Sequence, residues 1–120
     1  MIEDLISHVF QARDFAHITH LTTRSYAQHM ALGAFYDNVV EDIDSIAEAF
    51  QGVFGEPMMA DDIDMMPKPS QDIITYLASE LDYITANRDK ISMKDSTLLN
   101  LIDGLAAEYS SCLYKLRNLK

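Results

Sequence analysis

Apolar residues recur every three to four positions along most of the chain, which is the spacing of a helix with one buried face. The first such stretch begins at Ile2 and the second near Tyr26. Two more follow, one from Ile73 and one from Leu98. No segment shows the sustained alternation that is typical of a strand. The pattern predicts an all-α protein with four helices.

The prolines and glycines locate the main break in the chain. All three prolines and two of the four glycines fall between residues 52 and 69, which predicts a linker there, with Ser70 as N-cap of the next helix. A linker of about 17 residues spans on the order of 50 Å when extended, more than the ~35 Å of a helix of about 23 residues. We therefore expect a four-helix bundle, ferritin-like with a lengthwise crossover between helices two and three. A simple up-and-down bundle is also compatible with the pattern.

Weaker signals mark the other two joins. Thr22, Thr23 or Ser25 is expected to cap the second helix, because hydroxyl side chains compete for backbone hydrogen bonds. Asp95 or Ser96 is expected to cap the last helix. The helices are thus joined by a short, a long and a short connection.

Composition narrows the range of functions. With 120 residues and a hydrophobic fraction of 48%, the chain suits one domain spanning residues 1–120. Nine Lys and Arg against 19 Asp and Glu give a net charge of −10, which opposes nucleic acid and anionic membrane and is compatible with cations. No run approaches the ~18 to 20 apolar residues of a membrane span. The single cysteine and the acidic start, which is unlike a signal peptide, predict a cytoplasmic protein.

Polar residues on the second helix indicate a metal site. Asp44 and Glu48 are four residues apart, so both project from one face and could hold one ion. His29 lies ~22 Å before Asp44 along the helix, so one chain cannot bring both to the same ion. If this helix packs antiparallel against its symmetry mate near Tyr36, His29 of one subunit approaches Asp44 and Glu48 of the other. We therefore expect a homo-oligomer with a C2 interface along helix two.

The run HMALGAFYDNVVEDIDSIAEAF resembles the second helix of the Dps-type mini-ferritins, where a histidine is followed seven residues later by a tyrosine and then by (I/L/V)-D-(S/T)-(I/M)-A-E. The matching residues are His29, Tyr36, Ile43, Asp44, Ser45, Ile46, Ala47 and Glu48. The resemblance implies an inter-subunit ferroxidase site built from this histidine, an upstream histidine, an acidic residue four positions on and the D-xxx-E pair. Either His17 or His20 matches the upstream histidine.

One departure from the mini-ferritin pattern bears on activity. The acidic ligand four positions after His29 falls on Gly33, which has no side chain to coordinate a metal, so the site needs Asp37 or Glu41 as a substitute. Ferroxidase activity is therefore left open. The candidate metal ligands are His17, His20, His29, Asp37, Asp44 and Glu48. The expected metal is iron, as Fe(II) and Fe(III), or another divalent ion, because imidazole and carboxylate ligands with open positions suit it.

A second resemblance covers much the same stretch. The phrase H-L-x-T-x-SYAxHxALGxFYD, followed by EAFQGVFG, is similar to small uncharacterised proteins of tailed phages, in which the glycine of ALG is typical. This implies a phage protein that works in the bacterial host cytoplasm. The alternative function is then a non-enzymatic helical protein that binds a host or virion protein and carries a degenerate metal site.

The remaining polar residues suggest no site of their own. His8 belongs to no pattern, and the six tyrosines are expected at the edge of the core with their hydroxyls in water. Cys112 lies near an apolar stripe and is expected to be a buried, inert thiol. No hydrolase elbow, P-loop or Cys–His pair is present, so no catalytic residue is predicted.

Overall fold

The computed structural model describes residues 2–120, and that range contains four α-helices and no strand. The helices are α1 (Ile2–Thr22), α2 (Tyr26–Phe54), α3 (Ile73–Ser92) and α4 (Ser96–Asn118), with one 3-10 turn, Ala60–Asp62, between α2 and α3. The predicted all-α class and the four helices are confirmed. Among the described helices, none has the length and apolar character needed to cross a membrane.

Side-chain caps mark where α2 and α4 begin. Ser25 caps α2 by accepting from the Gln28 N–H, and Asp95 caps α4 by accepting from the Leu98 N–H. Each is one of the alternatives that the sequence offered. At the other end of α2, Gly55 adopts a left-handed conformation (φ 69°) and its N–H bonds to the carbonyl of Gln51.

The predicted linker is displaced by three residues. It covers residues 55 to 72 instead of 52 to 69. Gly52 continues α2 because a single glycine in a helix costs only about 1 kcal/mol, which the packing of the neighbouring turns offsets. The N-cap of α3 is Asp72 and not Ser70, because the Asp72 carboxylate accepts from both the backbone N–H and the hydroxyl of Thr75.

Contacts between the helices define their directions. The ends of α1 and α2 meet at His20 and His29, so these two helices are antiparallel. α3 runs antiparallel to α1. The Tyr76 hydroxyl donates to Gln11, and Glu80, one turn later on α3, meets His8, which lies one turn earlier on α1. α2 and α3 are therefore parallel to each other. The chain must return along the length of the bundle between them, which confirms the lengthwise crossover and excludes the up-and-down order.

Three hydrogen bonds pin this crossover to α1. Glu3 accepts from the backbone N–H of Met59 at 3.2 Å, Ser7 accepts from the N–H of Asp64 at 2.8 Å, and Gln11 donates to a crossover carbonyl at 2.7 Å. Because the three α1 side chains are spaced four residues apart, they lie on one face of the helix. The crossover therefore follows that face from one end of the bundle towards the other.

Apolar side chains from all four helices fill the centre of the bundle. Two tyrosines join them, which corrects the expectation that their hydroxyls reach water: Tyr76 is 3% exposed and Tyr109 is fully buried. Burial raises the pKa of both phenols. Cys112 is buried as expected, and burial raises the pKa of its thiol to about 12, which keeps it protonated and inert.

The two buried tyrosines provide a matched test of core energetics. The Tyr76 hydroxyl donates to Gln11, whereas the Tyr109 hydroxyl has no hydrogen-bond partner among the described residues. We expect Tyr76→Phe to lower the free energy of unfolding by about 1 kcal/mol and Tyr109→Phe to raise it by about as much. Urea unfolding of both variants measures the difference. An equal loss in the two variants would contradict this reading of Tyr109.

Candidate functional site

His20 and His29 form a stacked, reciprocally hydrogen-bonded pair where the end of α1 meets the start of α2. Their rings stack with centroids 3.7 Å apart and planes 17° from parallel. The His20 Nδ1–H donates to the carbonyl of His29 at 2.7 Å, and the His29 Nδ1–H donates to the carbonyl of His20 at 2.8 Å. These reciprocal bonds tie the last turn of α1 to the first turn of α2 and fix the orientation of both rings.

Gly33 makes the space that this pair occupies. A Cβ atom at residue 33 would lie 3.1 Å from Cε1 and 3.3 Å from Nδ1 of His20, closer than ordinary van der Waals contact. The residue therefore has a packing role that the sequence did not reveal. Where the mini-ferritin pattern has a carboxylate, this chain has an imidazole from α1 lying against the bare helix backbone.

His17 lies one turn before His20 and is exposed. Its ring stacks on Tyr36 with centroids 4.2 Å apart, and its centroid is 6.0 Å from that of His20. A surface pocket of about 500 Å³ beside it is lined in part by Asp37 and Glu41. Asp37 therefore shares a surface with His17 and not with the stacked pair.

Asp44 and Glu48 lie further along α2, away from the histidines. Both are exposed, and α2 is continuous through this region, so their ~22 Å separation from His29 holds in the folded chain. Within residues 2–120, no group of three or more His, Cys, Asp or Glu side chains is arranged to hold a metal ion. One chain thus brings His20 and His29 together, places His17 nearby with Asp37 beside it, and leaves Asp44 and Glu48 apart from them.

The stacked pair nevertheless presents ligand atoms. In each neutral ring the Nδ1–H is committed to a backbone carbonyl, which leaves Nε2 as the atom with a free lone pair. A backbone carbonyl on the second nitrogen is the arrangement that commonly orients metal-binding histidines. The pair can therefore contribute two preoriented nitrogen ligands to a site whose other ligands come from elsewhere.

A second histidine arrangement was missed by the sequence analysis. Glu80 on α3 is only 7% exposed, and its Oε2 lies 2.7 Å from Nδ1 of His8 on α1. The two residues are 72 positions apart, so no local spacing could reveal the pair. Only the antiparallel packing of α1 against α3 brings them together.

These helices define the class of protein as a four-helix bundle whose parallel second and third helices are joined by a lengthwise crossover. Within that class, the chain belongs to a family of unknown function, DUF5856, whose model matches residues 20–116. The matched region includes His20, His29 and Gly33, whereas His17 precedes it. No curated protein and no solved structure is significantly similar to the chain. The resemblance to mini-ferritins stays a prediction.

The role of Gly33 can be tested against a second helical glycine. Gly104 on α4 has nothing within 4 Å of an added Cβ, so Gly104→Ala should raise the free energy of unfolding by about 0.5 to 1 kcal/mol. Gly33→Ala has the same gain in helix propensity, but the added Cβ displaces the His20 ring. We therefore expect no rise in its free energy of unfolding. Chemical denaturation gives the energies, and imidazole NMR signals report the His20 environment. Equal gains with unchanged His20 signals would contradict this account.

Proposed function

We propose that this protein is a ferritin-like, phage-type protein that binds iron or another divalent metal ion at a site shared between two copies of the chain. The observation that carries the proposal is the His20 and His29 pair, in which both Nδ1–H groups are bound to carbonyls and both Nε2 atoms remain for a ligand. Imidazole nitrogen suits first-row transition metals, and carboxylates from a second subunit would complete the set.

The remaining ligands of the proposed site are two carboxylates on α2 of the second subunit. Asp44 and Glu48 are exposed on one helix face, four residues apart, and no described residue of the same chain pairs with them. An antiparallel α2–α2 contact about a point near Tyr36 carries them to the histidines of the partner. His17 and Asp37 flank this position and are the next candidate ligands.

The proposed role is metal binding, with oxidation of the metal left to experiment. Gly33 supplies no carboxylate, and the His20 ring lies against it, so His20, His29, Asp44 and Glu48 offer the two histidines of the mini-ferritin pattern and one carboxylate fewer. The net charge of −10 favours cations, and the proposed compartment is the bacterial cytoplasm.

Removing one carboxylate tests the shared site. Glu48→Ala should abolish binding of Fe(II) under anaerobic titration and leave the helical content unchanged, because Glu48 is exposed and contributes nothing to the core. Asp82→Ala, which removes an exposed carboxylate from α3, is the matched control and should bind as the unaltered protein does. Unchanged binding by Glu48→Ala, or a strict monomer at micromolar concentration by sedimentation, would refute the shared site.

A second candidate function is the capture of a host or virion protein. Four large apolar side chains lie exposed at the turn between α1 and α2: Ile18, Leu21, Tyr26 and Met30, which are 45%, 69%, 76% and 53% exposed. We call this surface the hairpin tip. It adjoins a pocket of about 510 Å³ between α1 and the crossover, to which Phe10, Phe15 and Ile18 contribute. Exposed apolar surface of this kind is characteristic of protein contacts.

The two functions respond differently to substitution at the tip. If the tip binds a protein, Leu21→Ser should weaken association with that protein at least tenfold, since about 1.4 kcal/mol of apolar burial is lost. The same substitution should leave metal binding intact. Glu48→Ala should instead abolish metal binding and leave association with that protein unchanged. Pull-down of virion and host proteins alongside metal titration separates the two outcomes.

A further inference from the structure

Charge is distributed unevenly along the bundle. Residues 15–36 and 109–120 contain four basic residues and no acidic one, whereas residues 37–67 contain nine acidic residues and no basic one. The contacts of α4 show where the first two segments meet, because Tyr109 packs on Phe35 and the Cys112 thiol meets the carbonyl of Ala31. α4 therefore ends beside the start of α2. Both acid-free segments lie at the end of the bundle that carries the hairpin tip.

Cations and a further exposed tyrosine flank the hairpin tip. Arg24 is exposed in the turn between α1 and α2, and Lys115 and Arg117 lie in the last turn of α4. None of these three cations forms an ion pair with a described residue. Tyr114, beside Lys115, is 59% exposed. We call the hairpin tip together with Arg24, Tyr114, Lys115 and Arg117 the basic end.

The far end of α2 has the opposite charge and the same kind of apolar exposure. Val53, in the last turn of α2, is 45% exposed, and Met59, just after the helix, is 58% exposed. Three exposed carboxylates accompany them: Glu56, Asp61 and Asp62. We call these five residues the acidic corner. It lies ~40 Å from the start of α2 at 1.5 Å per residue, so a single chain cannot bring it to its own basic end.

We propose that the basic end of one copy docks on the acidic corner of a second copy, so that the protein associates end to end. The cations of one surface face the carboxylates of the other, which orients the two copies as they meet. The exposed apolar side chains of both surfaces leave water in the same contact. Because the two surfaces differ, the contact is heterologous, and each copy keeps one free surface of either kind. Association can therefore continue beyond two copies.

The shape of the bundle favours contact at its ends. Each copy has a net charge of −10, so two copies repel wherever their acidic flanks approach. The bundle measures 45 × 27 × 21 Å, whereas charges in ~0.15 M salt are screened over ~8 Å. End-to-end docking therefore keeps most of the acidic flanks beyond this screening length, which parallel side-by-side packing does not. The contact needs no metal and uses surfaces other than the α2–α2 contact proposed above.

Sedimentation velocity of the metal-free protein in EDTA tests the contact. We expect the average mass to rise with protein concentration in ~0.05 M NaCl and to fall in ~0.5 M NaCl, where salt screens the attraction. Leu21→Asp places a carboxylate in the basic end, and Met59→Lys places an ammonium group in the acidic corner. Each should weaken association at least about tenfold. Thr85→Asp and Thr85→Lys, at an exposed position on α3, are the matched controls and should associate as the unaltered protein does.

An equimolar mixture of the two variants identifies the surfaces that meet. Leu21→Asp keeps an intact acidic corner and Met59→Lys keeps an intact basic end, so the mixture should associate although each variant alone does not. Association of Met59→Lys by itself would indicate a symmetric contact between two basic ends and would overturn the proposal. A mixture that stays dissociated, or an unaltered protein whose mass is independent of concentration and salt, would overturn it as well. If circular dichroism shows that Leu21→Asp unfolds, Arg24→Glu at the exposed turn replaces it.

Discussion

The return of the chain along α1 is the constraint on which the architecture depends. Since α2 and α3 are parallel, the crossover must travel the length of the bundle, and Glu3, Ser7 and Gln11 hold it on one face of α1. The other faces of α1 pack against α2 and α3. α1 therefore contacts both of the helices that supply partners for its histidines, α2 for His20 and α3 for His8.

Both arrangements use the same physical device. His20 and His29 each commit Nδ1 to a backbone carbonyl, and His8 commits Nδ1 to a carboxylate. In each case a stacked aromatic ring restricts rotation, so that Nε2 is the atom that remains for chemistry. The difference lies in the partner: a carbonyl leaves the local charge unchanged, whereas Glu80 brings a negative charge into the interior.

Local sequence was sufficient to predict the helices and two of their caps. Helical period and capping chemistry are encoded within a few residues, so Ser25 and Asp95 were among the candidate caps. The start of α3 was displaced because Ser70 and Asp72 are both good N-cap residues two positions apart, and Asp72 is the one that accepts from Thr75. The crossover order was one of two compatible solutions, and the long linker was the signal that favoured it.

Features that depend on contacts between residues far apart in the chain could not be predicted from the sequence. Glu80 and His8 are 72 positions apart, and the space above Gly33 exists only because His20 of another helix fills it. Tyr109 was expected at the edge of the core, since a phenol is amphipathic, yet it lies at the centre where α2 and α4 meet. The candidate ligands could be named from the sequence, but their grouping required the packing of the helices.

The crossover has a consequence for how the molecule can be divided. It joins two helical hairpins, α1 with α2 and α3 with α4, and at Met65 its side chain is fully exposed. Each hairpin alone would leave an apolar face open to water, and each supplies the surface that covers the other. The protein is therefore built as two complementary fragments, and a cut in the crossover would leave them held together by the core they share.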